Sequence, residues 1–141
     1  MSDIIVIGVD GSATAQKAAE SAKDLAMALN ASLHVVTAFD GDQDEVFGSG
    51  HDQLVVSPGD AAEHLARTAA ESLGNGITIT SAAVPGKPAE ALIEEAARIN
   101  ARIIVVGNRR MHGIGRVLGS VANSVAHNAH CDVYIANTYD A

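Results

Sequence analysis

The chain is 141 residues long, about the size of one domain with one core, and nearly half of it (48%) is apolar. Its formal net charge of −8 argues against general binding to DNA, RNA or anionic lipid, which needs a basic face. Two tyrosines, two phenylalanines and no tryptophan leave no stacking platform for single-stranded nucleic acid.

Residues 4–9 form a short, continuous apolar run, which suits a strand buried on both faces of a parallel sheet. "DGS" at residues 10–12 is turn chemistry, and Ser12 is placed to cap a helix. Ala15, Ala18, Ala19, Ala22, Leu25, Ala26 and Leu29 then recur at helical spacing, and Asn30 ends the helix. Residues 33–39 are a second apolar run. Residues 40–57 are acidic, glycine-containing and aperiodic, and read as a long loop. A second helix is predicted over residues 58–73, with Ala61, Ala62, Leu65, Ala69 and Leu73 facing inward. Residues 75–84 predict a third strand. A turn and a third helix follow, with Leu92, Ile93, Ala96 and Ile99 as its buried stripe. Residues 102–106 read as a fourth strand, residues 119–129 as a fourth helix and residues 132–138 as a last strand.

Strict alternation of strand and helix predicts an α/β fold: a five-stranded parallel sheet with helices on both faces and right-handed crossovers. The whole chain, 1–141, reads as one domain, without repeats or low-complexity tracts. Ligands of such sheets bind beyond the carboxyl ends of the strands, where the strand order reverses. Three stretches there carry suggestive residues: 10–12, 38–40 and 107–120.

The last stretch is the most informative. Three of the nine basic residues, Arg109, Arg110 and Arg116, lie between Gly107 and Gly119, with Gly113 and Gly115 among them. Glycine after a strand lets backbone approach a ligand, and the following helix offers unpaired N–H groups at the positive end of its dipole. Together these make an anion site. Gly119, Ser120 and Val121 would supply backbone N–H groups and the arginines charge. On the bland alternative, the glycines only shape turns and the arginines are solvated. No G-x-x-x-x-G-K-[ST] is present, and "GVDGSA" after the first strand is not a dinucleotide fingerprint.

The order and content of these segments resemble the universal stress protein family over nearly the whole chain. The resemblance is carried by "IIVIGVDGS", "LHVVTAF", "VPGKPAEALIEEA", "IIVVGNRR" and "LGSVANSVAHNAHCDVYIA". It implies a sheet of order 3-2-1-4-5, like the adenine-nucleotide α-hydrolases, and a site for ATP, AMP or cyclic AMP. By this resemblance Asp10 would be the acid that meets the adenine or ribose, flanked by Val9. Ala38 would be the position whose backbone reads the adenine edge, and Val106 and Gly107 would begin the phosphate signature. Arg109 would sit beside the phosphates, and Gly119, Ser120 and Val121 would cradle them. The chain departs from the signature at Arg110, which replaces its second glycine. It departs also in a spacing to Gly119 one residue short, and at Ala122 and His130, where relatives often carry proline. Arg110 would either fill the phosphate position or add a contact to it.

The resemblance also implies a homodimer through the last strand, with Val133, Tyr134 and Ile135 in contact. The acidic loop, with Asp40, Asp42, Asp44, Glu45 and Asp52, would tolerate phosphates with Mg²⁺ present; the simpler reading is a solvated flap. The lone cysteine, Cys131, fits a reducing cytoplasm, and no apolar run reaches the ~18 residues of a membrane span. The first ten residues lack the basic start of a signal peptide. The six histidines show no clean zinc spacing, and His34 reads as a satisfied core residue. No serine sits in G-x-S-x-G, so no nucleophile is positioned, and weak ATPase activity is the most that is expected. Two alternatives stay open: a stress protein that binds no nucleotide and acts through dimerisation and protein partners, and a slow metal-dependent ATPase.

Overall fold

The computed structural model describes residues 3–40, 45–47, 54–108 and 118–138, with backbone alone for 45–47 and 54–56. Its elements run β1 (Ile4–Gly8), α1 (Ala13–Leu29), β2 (Ser32–Phe39), β3 (Glu45–Phe47), β4 (Leu54–Val56), α2 (Pro58–Ser72), β5 (Ile79–Pro85), α3 (Pro88–Arg98), β6 (Ile103–Gly107), α4 (Ser120–Asn128) and β7 (Asp132–Ala136). Five strands form one parallel sheet in the order β5-β2-β1-β6-β7. Counting these five alone, this is the expected order 3-2-1-4-5.

The stretch read as a plain loop is different. It contains a two-stranded antiparallel ribbon in which Glu45 pairs with Val56 and Phe47 with Leu54. Each strand is only three residues long, too short for alternation to stand out from an Asp/Gly-rich background.

The central strands are continuous apolar runs because both faces are covered. Ile5 and Ile7 of β1 join Leu33, Val35 and Val105 under α1 and α2. Val6 joins Val36, Ile104 and Val106 under α3 and α4. The helices present small side chains to the sheet: Ala18, Ala19, Ala22 and Ala26 of α1, and Ala62, Ala66 and Ala69 of α2, are buried. Ala66, not Ala61, completes the α2 stripe. In α3 the buried face is Ala91, Leu92, Glu95 and Ala96, with Ile93 and Ile99 packed at its margin.

Local chemistry sets the ends. Ser12 caps α1 by accepting from the Ala15 N–H at 3.1 Å, and Ser57 caps α2 by accepting from that of Asp60 at 3.1 Å. Asn30 and Asn100 stand in left-handed conformation (φ 54° and 55°), and the following alanines donate back to Ala26 and Ala96 at 2.8 Å. Each asparagine thus turns the chain from a helix into the next strand. No helix among the described residues is long and apolar enough to cross a membrane.

Candidate functional site

After β1 the chain builds β2 and then β5 on one side, and only afterwards returns to place β6 on the other. The strand order therefore reverses between β1 and β6, and the carboxyl ends of these strands splay from a cleft. The cleft measures about 280 Å³, near the lower end of the ~300–1,000 Å³ range of small-molecule sites.

Its floor is apolar: Val9 beyond β1, Val36 and Ala38 of β2, and Val105, Val106 and Gly107 of β6. Leu92 closes one wall. Gly8 allows this, because a Cβ at Gly8 would lie 3.0 Å from the Leu92 side chain. The starts of α1, α3 and α4 all converge here through Ser12 and Thr14, Pro88, and Ser120 to Ala122.

These helix starts are not equivalent. In α1, Ser12 occupies the end of the helix, and its own N–H donates to Asp10 Oδ1 at 2.9 Å. Gly11 between them has φ 87°, a conformation that favours glycine and lets this turn close. In α4 the capping position is Gly119, and no side-chain cap bond is made there. The first amides of α4 therefore meet the cleft with the positive end of the helix dipole behind them. Asp10 is the one charged side chain among the described residues that line the cleft. An apolar floor, one carboxylate at one end and backbone donors at the other suit a flat, partly apolar ligand with an anionic tail.

Of the residues singled out from the sequence, Val9, Asp10, Ala38, Val106, Gly107, Gly119, Ser120 and Val121 all line this one cleft. Arg109 and Arg110 lie outside the described residues, as do Arg116 and His112. Val133 of β7 is half-buried, while Tyr134 and Ile135 are exposed on the sheet edge, 44% and 40% accessible.

Among the described residues no group of three or more His, Cys, Asp or Glu side chains could hold a metal. Mg²⁺ would find one carboxylate in the described cleft, so any phosphate-bound ion would draw most of its ligands from the nucleotide and water. The side chains of Asp42, Asp44, Glu45 and Asp52 are outside the described set.

A model of the universal stress protein family matches residues 1–137. The chain belongs to the universal stress protein family. It is 30% identical to universal stress protein A homolog 1 of Coxiella burnetii, over 92% of each chain. It is 32% identical to universal stress protein MJ0531 of Methanocaldococcus jannaschii, over 93% of this chain and 79% of that one. Among solved structures, a universal stress protein in complex with cAMP superposes with a TM-score of 0.72 at 32% identity, covering 97% of this chain and 98% of that one. A universal stress protein from Archaeoglobus fulgidus, 20% identical with a TM-score of 0.70 over 96% and 93% of the two chains, shares the fold.

One cluster escaped the sequence reading. Glu95 is buried, 5% accessible, and its carboxylate accepts from His34 Nε2 at 2.8 Å, Arg98 Nε at 2.6 Å and Arg98 Nη2 at 2.9 Å. The other His34 nitrogen, Nδ1, meets Thr80 Oγ1 at 2.7 Å. His34 is thus the satisfied core residue expected of it, and Glu95 is what satisfies it. The Arg98 hydrogen bonds hold the Glu95 carboxyl down at about 2, against the opposing effect of burial and with help from His34. A signal existed in the sequence: Glu95 sits between Leu92 and Ala96 on the apolar stripe of α3. For Cys131, burial first and the Asp132 carboxylate second push the thiol up, away from the reactive thiolate.

Proposed function

We propose that this chain binds an adenine nucleotide in the cleft at the ends of β1 and β6 and serves as a sensor or store, not as a fast catalyst. The observation that carries the reading is the pairing, in one cleft, of the Asp10 carboxylate with the uncapped start of α4. The apolar floor suits the base, with the Ala38 backbone at its edge and Asp10 at the base or ribose. Val106 and Gly107 meet the sugar, and Gly119, Ser120 and Val121 face the phosphate; Arg109 and Arg110, outside the described residues, are the further phosphate contacts of this reading. The relative solved with cAMP supports a nucleotide here. The nucleotide of this reading is ATP, AMP or cyclic AMP.

We further propose a cytoplasmic homodimer formed along β7, whose outer edge carries the exposed Tyr134 and Ile135. The test is direct. Protein purified without added ligand is heat-denatured, any released nucleotide is identified by mass spectrometry, and stripped protein is titrated calorimetrically with ATP, AMP and cAMP. One-to-one binding weakened about tenfold by Asp10→Ala supports the reading, a loss of the size expected for a charged hydrogen-bond partner. No heat at millimolar ligand refutes it, and leaves the β7 edge as the functional surface. Metal-dependent phosphate release would favour the ATPase instead.

A further inference from the structure

Asn108 leaves β6 directly after Gly107, yet neither Asn108 nor Thr138 lines the cleft. Its side chain reaches across to the chain end beyond β7. Asn108 Oδ1 accepts from the Thr138 N–H at 2.7 Å and from the Thr138 hydroxyl at 3.2 Å, and Nδ2 donates to Asn137 Oδ1 at 3.2 Å. Thr138 is buried although it follows an edge strand. Gly107 stands between the two regions: it lines the cleft, and a Cβ there would lie 3.2 Å from Thr138 Cγ2. Three hydrogen bonds therefore join the residue after Gly107 to the end of the outer strand, and Thr138 sits too near Gly107 for a side chain to fit freely there.

We propose that Asn108 is a positioning residue that couples the cleft to β7: filling the cleft strengthens the hold of Asn108 on residues 137 and 138, and that hold in turn strengthens binding. The coupling is reciprocal by linkage. The proposal rests on the nucleotide reading above and adds its regulation, because whatever seats on the β7 edge then tunes affinity in the cleft.

The test combines calorimetric titration of cAMP and AMP with amide hydrogen exchange, on wild type, Asn108→Ala, the near-isosteric Thr138→Val, and the double variant. Asn108→Ala is expected to weaken binding roughly tenfold, and Thr138→Val about threefold, in line with the hydrogen bonds removed. The double variant should be no weaker than Asn108→Ala alone, because the hydroxyl has then already lost its acceptor. Ligand should slow exchange at residues 136–138 in wild type and leave it unchanged in Asn108→Ala. A merely structural role would lower stability without this ligand-dependent protection. Wild-type affinity in Asn108→Ala, or additive losses in the double variant, overturns the coupling. If wild type takes up neither ligand, the nucleotide reading fails and the coupling falls with it; if wild type binds and Asn108→Ala binds equally well, the coupling alone is overturned.

Discussion

Replacing Glu95 by Gln removes a charge from the interface of α3 with β2 while keeping the shape of the side chain. In the wild type the carboxyl titrates at about 2 instead of its ordinary 4.5, chiefly because two Arg98 nitrogens donate to it. A group whose folded value is depressed contributes stability above its unfolded value and loses it as pH falls toward the folded one. A difference of about 2.5 units corresponds to roughly 3 kcal/mol at 1.36 kcal/mol per unit. The Arg98 head is 67% exposed and screened by solvent, so about 2–3 kcal/mol is the better expectation. With no tryptophan in the chain, unfolding is best followed by far-ultraviolet circular dichroism in urea at a series of pH values. At pH 6 the variant should be less stable by about 2–3 kcal/mol, and this gap should close between pH 5 and pH 2 as wild-type Glu95 takes up its proton. Two curves that run parallel through that window would refute the reasoning.

Gly8→Ala would stand its Cβ 3.0 Å from the end of the Leu92 side chain and should move that wall of the cleft at a cost of about 1 kcal/mol, read as a lowered urea midpoint. Ser12→Ala removes the α1 cap and should cost about 1 kcal/mol in the same assay. Asn100→Gly should be neutral or stabilising by up to ~1 kcal/mol, since φ is 55° there; Asn100→Ala should destabilise. Tyr134→Lys and Ile135→Lys together, placed on the β7 edge, should convert the proposed dimer to monomer in sedimentation equilibrium and abolish any dependence of the melting temperature on protein concentration.

The architecture was legible because the central strands bury both faces. A run such as "IIVIG" has no polar alternation, and between such runs alanines recur at helical spacing; the two patterns together leave few topologies. The cleft was legible for a related reason: an α/β sheet places its site by strand order, so Asp10, Ala38, Gly107 and Gly119 converge without any one motif naming them. What stayed hidden was non-local. The Glu95 bonds to His34 join residues 61 apart in the chain, and the Asn108 bonds to Thr138 join residues 30 apart. No window of sequence shows either. The β3–β4 ribbon was missed on the opposite ground, being local but too short to carry a period.

These hidden contacts share a geometry. Leu92 on α3 forms a wall of the cleft, and Glu95, one turn further along the same buried face, fastens that helix to β2. The apolar contacts of α3 with Val36 and Val6 have no preferred direction of their own. The Glu95–His34 hydrogen bond has one, since a displacement of α3 by about 1 Å breaks a bond of 2.8 Å and leaves the buried His34 Nε2 without its partner. On this argument Glu95→Gln should weaken nucleotide binding as well as stability, and Glu95→Leu combined with His34→Leu, which leaves neither partner of the buried pair behind, should regain stability before it regains affinity. Affinity restored in step with stability would mean that the pair only holds the fold together and does not set the position of the cleft wall.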